Sequence, residues 1–136
     1  MAENIFLEVV TPSKAVVSED VQIVVAPGTE GEFGVLRGHT TFLTSLKLGT
    51  LRYKDSSGND RAVFISSGFA EVLPHKVTVL AESAERRKDI DVDRARLAKE
   101  RAEKRLSGVS TDVDFIRAEA ALRRAIHRLS IKGVSA

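Results

Sequence analysis

The hydrophobic positions of this chain change period once, near residue 81. Before that point apolar residues come in short β-branched runs: IFLEVV (5–10), AVVS (15–18), VQIVVAPG (21–28), GVLRG (34–38), TLRYKDSSGNDRAVFIS (50–66), FAEVL (69–73) and KVTVL (76–80). Runs of this length, broken by turn residues, predict strands, and this many at this spacing predict an all-β sandwich. Seven of the nine glycines and all three prolines fall in the same stretch, where turns are needed. SSGND (56–60) predicts a hairpin turn between the strands around Leu51–Lys54 and Arg61–Phe64.

After Ala81 the vocabulary shifts to Ala, Arg, Glu, Lys and Leu, the composition of helices. Asp89 or Asp91 is placed to cap a first helix that ends at Ser107-Gly108. Thr111-Asp112-Val113-Asp114 fits a capping box for a second, running to about Lys132. Ala95, Ala98, Ala102 and Leu106 repeat at spacings of three and four, as do Phe115, Ala118, Leu122, Ala125 and Leu129. The short connection makes the pair an antiparallel hairpin whose alanines allow close approach. With equal rise along both helices, facing residues have numbers summing to about 219. The expected organisation is a sandwich over residues 1–84 and a two-helix hairpin over 85–136. Each apolar seam is thin, so the hairpin needs a partner to be stable.

The chain has 136 residues, enough for one full domain or a domain with an appendage. It has no cysteine, which excludes disulfides and thiolate zinc sites. No apolar run approaches the roughly 18 residues of a membrane span, and MAENIFLEVV lacks the pattern of a signal peptide, so direct membrane insertion is not expected. The net charge of +2 is small, but it is unevenly spread. Acids outnumber bases through Ala81, and arginines accumulate after it. One tyrosine and no tryptophan leave little for base stacking, which disfavours nucleic acid as a partner of the basic hairpin.

Chemistry is sparse. His39, between Gly38 and Thr40, has no nucleophile, GxSxG or HExxH near it and reads as a loop histidine. His75 and His127 are more isolated. Gly28, Gly31 and Gly34 form GxxGxxG, which is not a phosphate-binding loop, and instead suggest turns or close backbone approach. The arginines are the stronger lead. In the expected register Asp91 lies level with Arg128, and Arg94 with Ala125 beside Arg124. Guanidiniums converging at the hairpin's open end suit a polyphosphate, although a solvated basic face is the commoner meaning of such charges.

The stretches VVTP (9–12), APGTEGEFGVLRGHTTFLTSLKLGTL, SSGFAEVLPHKVTVLAESAER, IDVDRARLAKERAEKRL and VDFIRAEAALRRAIHRL resemble the epsilon-subunit family of F-type ATP synthases, in order and over nearly the whole chain. The resemblance implies a noncatalytic subunit of the rotating central stalk, peripheral on the cytoplasmic face of a bacterial inner membrane. Its sandwich would contact the gamma subunit and the membrane rotor ring. The hairpin would inhibit ATP hydrolysis, extending toward the catalytic alpha and beta subunits. The loop at 30–46 would face the ring through Glu32, Arg37 and His39. Many relatives carry proline where this chain has Arg37 and Thr41, which implies a less rigid loop. IDVDRA (90–95) is similar to the motif by which some bacterial members bind ATP. Carried over, Glu85, Ile90, Asp91 and Ala95 would surround the base, and Arg94, Arg101, Arg124 and Arg128 would address ribose and phosphates. ATP would then be a regulatory ligand, with no cofactor otherwise. The rival expectation is a free-standing ATP-sensing module.

Overall fold

The computed structural model describes residues 3–108 and 112–134, without the side chains of Asp112 and Val113. It divides into two compact units, Met1–Arg87 and Lys88–Ala136.

The first unit is a β-sandwich of nine strands: β1 (Ile5–Val10), β2 (Ala15–Gly28), β3 (Gly31–Val35), β4 (Phe42–Leu46), β5 (Gly49–Asp55), β6 (Asp60–Ile65), β7 (Gly68–Leu73), β8 (Lys76–Ala81) and β9 (Ala84–Arg86). One layer runs β4-β7-β8-β1 and continues into the first half of β2; the other is β3, the second half of β2, β5, β6 and β9. All pairs are antiparallel except β1 with β8. The long β2 belongs to both layers because Val21 pairs with Ile5 of β1 and also with Asp55 of β5, and a bulge follows it before Ile23. A bulge adds the local bend that such a change of sheet requires. Two expected runs, AVVS and VQIVVAPG, are therefore one strand. The intervening Ser18-Glu19-Asp20 continues the ladder against Glu8, Leu7 and Phe6.

Alternation places Ile5, Leu7 and Val9 of β1 and Val77, Val79 and Ala81 of β8 inward, with Val24, Ala26, Leu51, Val63 and Ile65 from the other layer. These fully buried aliphatics form one core between the layers. Two short connections are tied together where the chain passes from layer to layer. Ser66 N–H donates to the Ser83 carbonyl at 3.0 Å and Glu82 N–H to that of Ser67 at 3.0 Å, while Ser83 N–H donates to Ser66 Oγ at 2.9 Å. Gly68 beside them is required: a Cβ there would run into the Leu80 carbonyl.

The SSGND turn forms as expected, closed by a carboxylate. Asp55 Oδ1 accepts N–H bonds from Ser57 at 3.0 Å and Asn59 at 2.9 Å, and Oδ2 accepts from Arg61 Nε at 3.1 Å. The Asn59 N–H first, then Arg61, the Asn59 side chain and the Ser57 N–H, hold the Asp55 carboxyl below its usual range against the opposing effect of burial.

Differences from the expected strands have local causes. GVLRG is not a strand: β3 stops at Val35, and Leu36–Gly38 turn away with Gly38 at φ 88°. FLTSL was not anticipated as β4, because Thr44 and Ser45 interrupt its apolar pattern. The boundary expected after residue 84 falls after Arg87. Ala84, Glu85 and Arg86 pair with Ile65, Phe64 and Val63, so they are sheet residues. Arg86 adds a bond from Nε to the Val16 carbonyl at 2.8 Å and an ion pair with Glu19 at 3.6 Å.

In the second unit a 3-10 turn (Arg87–Asp89, overlapping the boundary) leads to α1 (Val92–Ser107) and α2 (Asp112–Lys132). Asp91, not Asp89, is the N-cap, its Oδ1 accepting the Arg94 N–H at 3.1 Å. Gly108 sits at the C-cap of α1, but at φ −120° it does not use glycine's left-handed freedom. Gly133 does, at φ 77°. Its N–H donates to the Ser130 carbonyl and that of Val134 to Leu129, both at 3.0 Å, a Schellman ending for α2. The link between the helices, with Thr111 of the expected capping box, lies outside the described residues. Ala95 and Ala102 of α1 and Ala118, Ala125 and Leu129 of α2 are buried. The numbers of 95 and 125, and of 102 and 118, both sum to 220, one from the expected register. Ala98, Leu106 and Leu122 are half-buried, whereas Phe115 is exposed.

Candidate functional site

Three features of the surface stand out by their chemistry: the loop after β3, the outer face of β4, β7 and β8, and the arginines of the hairpin.

The loop is organised by aromatic contacts. His39 Nδ1 is 2.8 Å from the Thr40 carbonyl, and its ring lies 5.2 Å from that of Phe42. Phe42 packs edge-on against Phe33 of β3 at 5.1 Å, and both are seated on the core. Glu32 precedes Phe33 in β3 and so points to the opposite side of the strand. Glu32 points from the outer face of β3 and accepts a 2.6 Å bond from Arg52 of β5. Arg37 is turned toward the segment before β1, in contact with Glu3 and Asn4. Of the three residues expected at this surface, His39 is half-buried and Glu32 and Arg37 are exposed. Arg52 and Glu3 were not singled out in the sequence. Arg52 comes from β5 and Glu3 from the segment before β1, both distant in sequence from their partners.

The outer face of the first layer carries large apolar side chains. Phe69 and Leu80 are direct cross-strand partners, and Leu43 pairs with Glu71, two residues along β7 from Phe69. Their exposures are 70% for Leu43, 56% for Phe69 and 57% for Leu80. Glu71 and Thr78 face each other beside them, and farther along the face Lys76 and Glu8 pair at 3.5 Å.

Of the residues expected to surround a nucleotide, Glu85 lies on β9 of the sandwich and the other seven belong to the helical unit. Ile90 and Ala95 are buried, Asp91, Arg94 and Arg101 are exposed, and Arg124 and Arg128 are half-buried. Arg124 and Arg128 share one face of α2 by their spacing of four, as Arg94 and Arg101 share one of α1 by theirs of seven. Within the helices Arg96 pairs with Asp93 at 4.0 Å, Lys99 with Glu103 at 3.7 Å and Arg123 with Glu119 at 3.3 Å. Guanidiniums as a class are suitable donors to a polyphosphate. Asp91 spends one carboxylate oxygen on its cap and retains acceptor capacity at the other. Burial holds the His127 imidazole below its usual range. Among the described residues no group of acids and histidines is arranged to hold a metal ion.

The two units coincide with two family descriptions. Residues 4–87 match ATP synthase, Delta/Epsilon chain, beta-sandwich domain, and residues 88–133 match ATP synthase, Delta/Epsilon chain, long alpha-helix domain. An ATP synthase epsilon chain from Desulforapulum autotrophicum is 72% identical over 96% of this chain and 97% of its own. One from Nitratidesulfovibrio vulgaris is 56% identical over 98% of each. A chain in the cryo-EM structure of Euglena gracilis mitochondrial ATP synthase, OSCP/F1/c-ring in rotational state 1, superposes with a TM-score of 0.75 at 28% identity, covering 88% of this chain and 75% of that one. A chain in the Tetrahymena thermophila mitochondrial ATP synthase central stalk and c-ring shares the fold, with a TM-score of 0.61 at 14% identity over 96% and 98%.

Proposed function

This chain belongs to the ATP synthase delta/epsilon chain family, and from that premise we propose that it is a noncatalytic subunit of the rotating central stalk, joining the catalytic head to the membrane rotor ring. The observation that carries the docking role is the exposed cluster of Leu43, Phe69 and Leu80 on one sheet face. Three large apolar side chains exposed on one sheet face suit a surface that a partner covers. The gamma subunit is the partner proposed for that face, and the ring's cytoplasmic loops for the end carrying Glu32 and His39. Peripheral attachment at the cytoplasmic face of a bacterial inner membrane follows from such docking, with ion translocation carried out by the rest of the assembly. No helix among the described residues is long and apolar enough to cross a membrane.

The hairpin is the regulatory part of the proposal. Its seam is built largely from alanines, so little apolar area holds it in any one arrangement. A folded form, selected by ATP through Arg94, Arg101, Arg124 and Arg128 with Asp91 toward the base, exchanges with an extended form that reaches the alpha and beta subunits and opposes hydrolysis. Co-isolation is the test. The unmodified chain brings gamma and the ring down with it, and Phe69→Glu breaks the association while leaving the sandwich folded. A chain that binds ATP but retrieves no gamma is instead a free-standing sensor.

A further inference from the structure

The contacts of Arg37 run inward. Its Nε lies 3.0 Å from Glu3 Oε2, and its Nη1 donates to the Asn4 carbonyl at 2.9 Å. One guanidinium thus grips two consecutive residues ahead of β1. The rest of the loop is held at a second place, since Gly38 N–H donates to the Pro74 carbonyl at 2.7 Å and His39 N–H closes a turn onto Leu36 at 3.1 Å. The β7–β8 turn that receives Gly38 also receives β1, through Phe6 N–H to the His75 carbonyl at 3.1 Å. Loop, turn and N-terminal segment therefore meet, and Arg37 closes the remaining side.

We infer that Arg37 is a positioning residue, which fastens the loop at 36–41 to Glu3 and Asn4 so that His39 is presented in one orientation for docking. The inference rests on the docking role proposed above. An exposed ion pair such as Arg37–Glu3 contributes little alone, with Glu3 78% exposed. The bond to the Asn4 carbonyl is charge-assisted and independent of the Glu3 rotamer, and the rigid guanidinium sets Nε and Nη1 at a fixed spacing that serves both acceptors, which the compact ammonium of lysine does not reproduce. This is an ionic strap in a loop that has no proline between positions 28 and 73 to stiffen it.

The test uses the full chain with Arg37→Ala, Arg37→Lys or deletion of Ala2–Asn4, in two measurements: amide exchange of residues 36–41 in the free chain, and binding to membranes carrying the rotor assembly stripped of this subunit. The strap predicts that Arg37→Ala and the deletion each speed exchange at 36–41 by about fivefold to tenfold, leave the β core unchanged, weaken binding by a similar factor and do not add when combined. Arg37→Lys does not restore the loop. The inference is overturned if exchange is unchanged in Arg37→Ala, or if Arg37→Ala weakens binding while the deletion leaves it intact, which makes Arg37 a direct contact. If the unmodified chain does not bind the membranes at all, the docking role fails, and the exchange measurement still decides the strap.

Discussion

At the scale of single residues, one buried polar group stands out against the aliphatic core by its full set of partners. Asp55 holds its turn as a carboxylate, and its depressed pKa makes its contribution depend on pH. The stabilisation is complete above the unfolded value of about 4 and is lost as pH falls through the lower folded value. Asp55→Asn therefore destabilises the sandwich at neutral pH in denaturant titrations, and its difference from the unmodified chain shrinks below about pH 4. The hairpin arginines separate in the same way. Arg94→Ala and Arg128→Ala each weaken ATP binding by about tenfold or more in calorimetry, as the loss of a charge-assisted phosphate contact requires. Arg123→Ala, whose side chain pairs with Glu119, changes it by less than about threefold. The Asp91 cap was readable from its place ahead of the first helical run. The partners Arg52 of Glu32 and Glu3 of Arg37 were not, because they lie 20 and 34 positions away and meet only in the folded sandwich.

At the scale of elements, legibility followed the strength of the local pattern. IFLEVV and KVTVL are short apolar, β-branched runs that form β1 and β8 as read, and the turn chemistry of SSGND marks the β5–β6 hairpin. FLTSL and Ala84–Arg86 are strands because β7 and β6 offer them edges, a tertiary cause with no local signature. The unbroken β2 likewise depends on β1 supplying partners for Ser18-Glu19-Asp20. Gly68 is the element-scale weak point, since its neighbours are the backbone of β8 rather than a movable side chain. Gly68→Ala costs more than about 2 kcal/mol in equilibrium unfolding, whereas Phe69→Glu, on the exposed face one residue on, changes stability by no more than about 0.5 kcal/mol. That contrast separates a residue kept for packing from one available for docking.

At the scale of the whole molecule, the chain combines a sandwich with one continuous core and a hairpin held by a thin seam. In the proposed mechanism such a hairpin exchanges between arrangements of similar energy. At ten times its dissociation constant, ATP favours the form that binds it by about 1.4 kcal/mol, enough to shift a balanced population roughly tenfold. The central claim is that this shift governs a brake on the catalytic head. Its most direct measurement is ATP hydrolysis by the assembled enzyme across a range of ATP concentrations, with either the full chain or one ending at Arg87. The account predicts that the shortened chain still assembles and that its hydrolysis exceeds that of the full-length assembly most at low ATP, the two converging as ATP rises. Equal hydrolysis at every ATP concentration, or failure of the shortened chain to assemble, would contradict it.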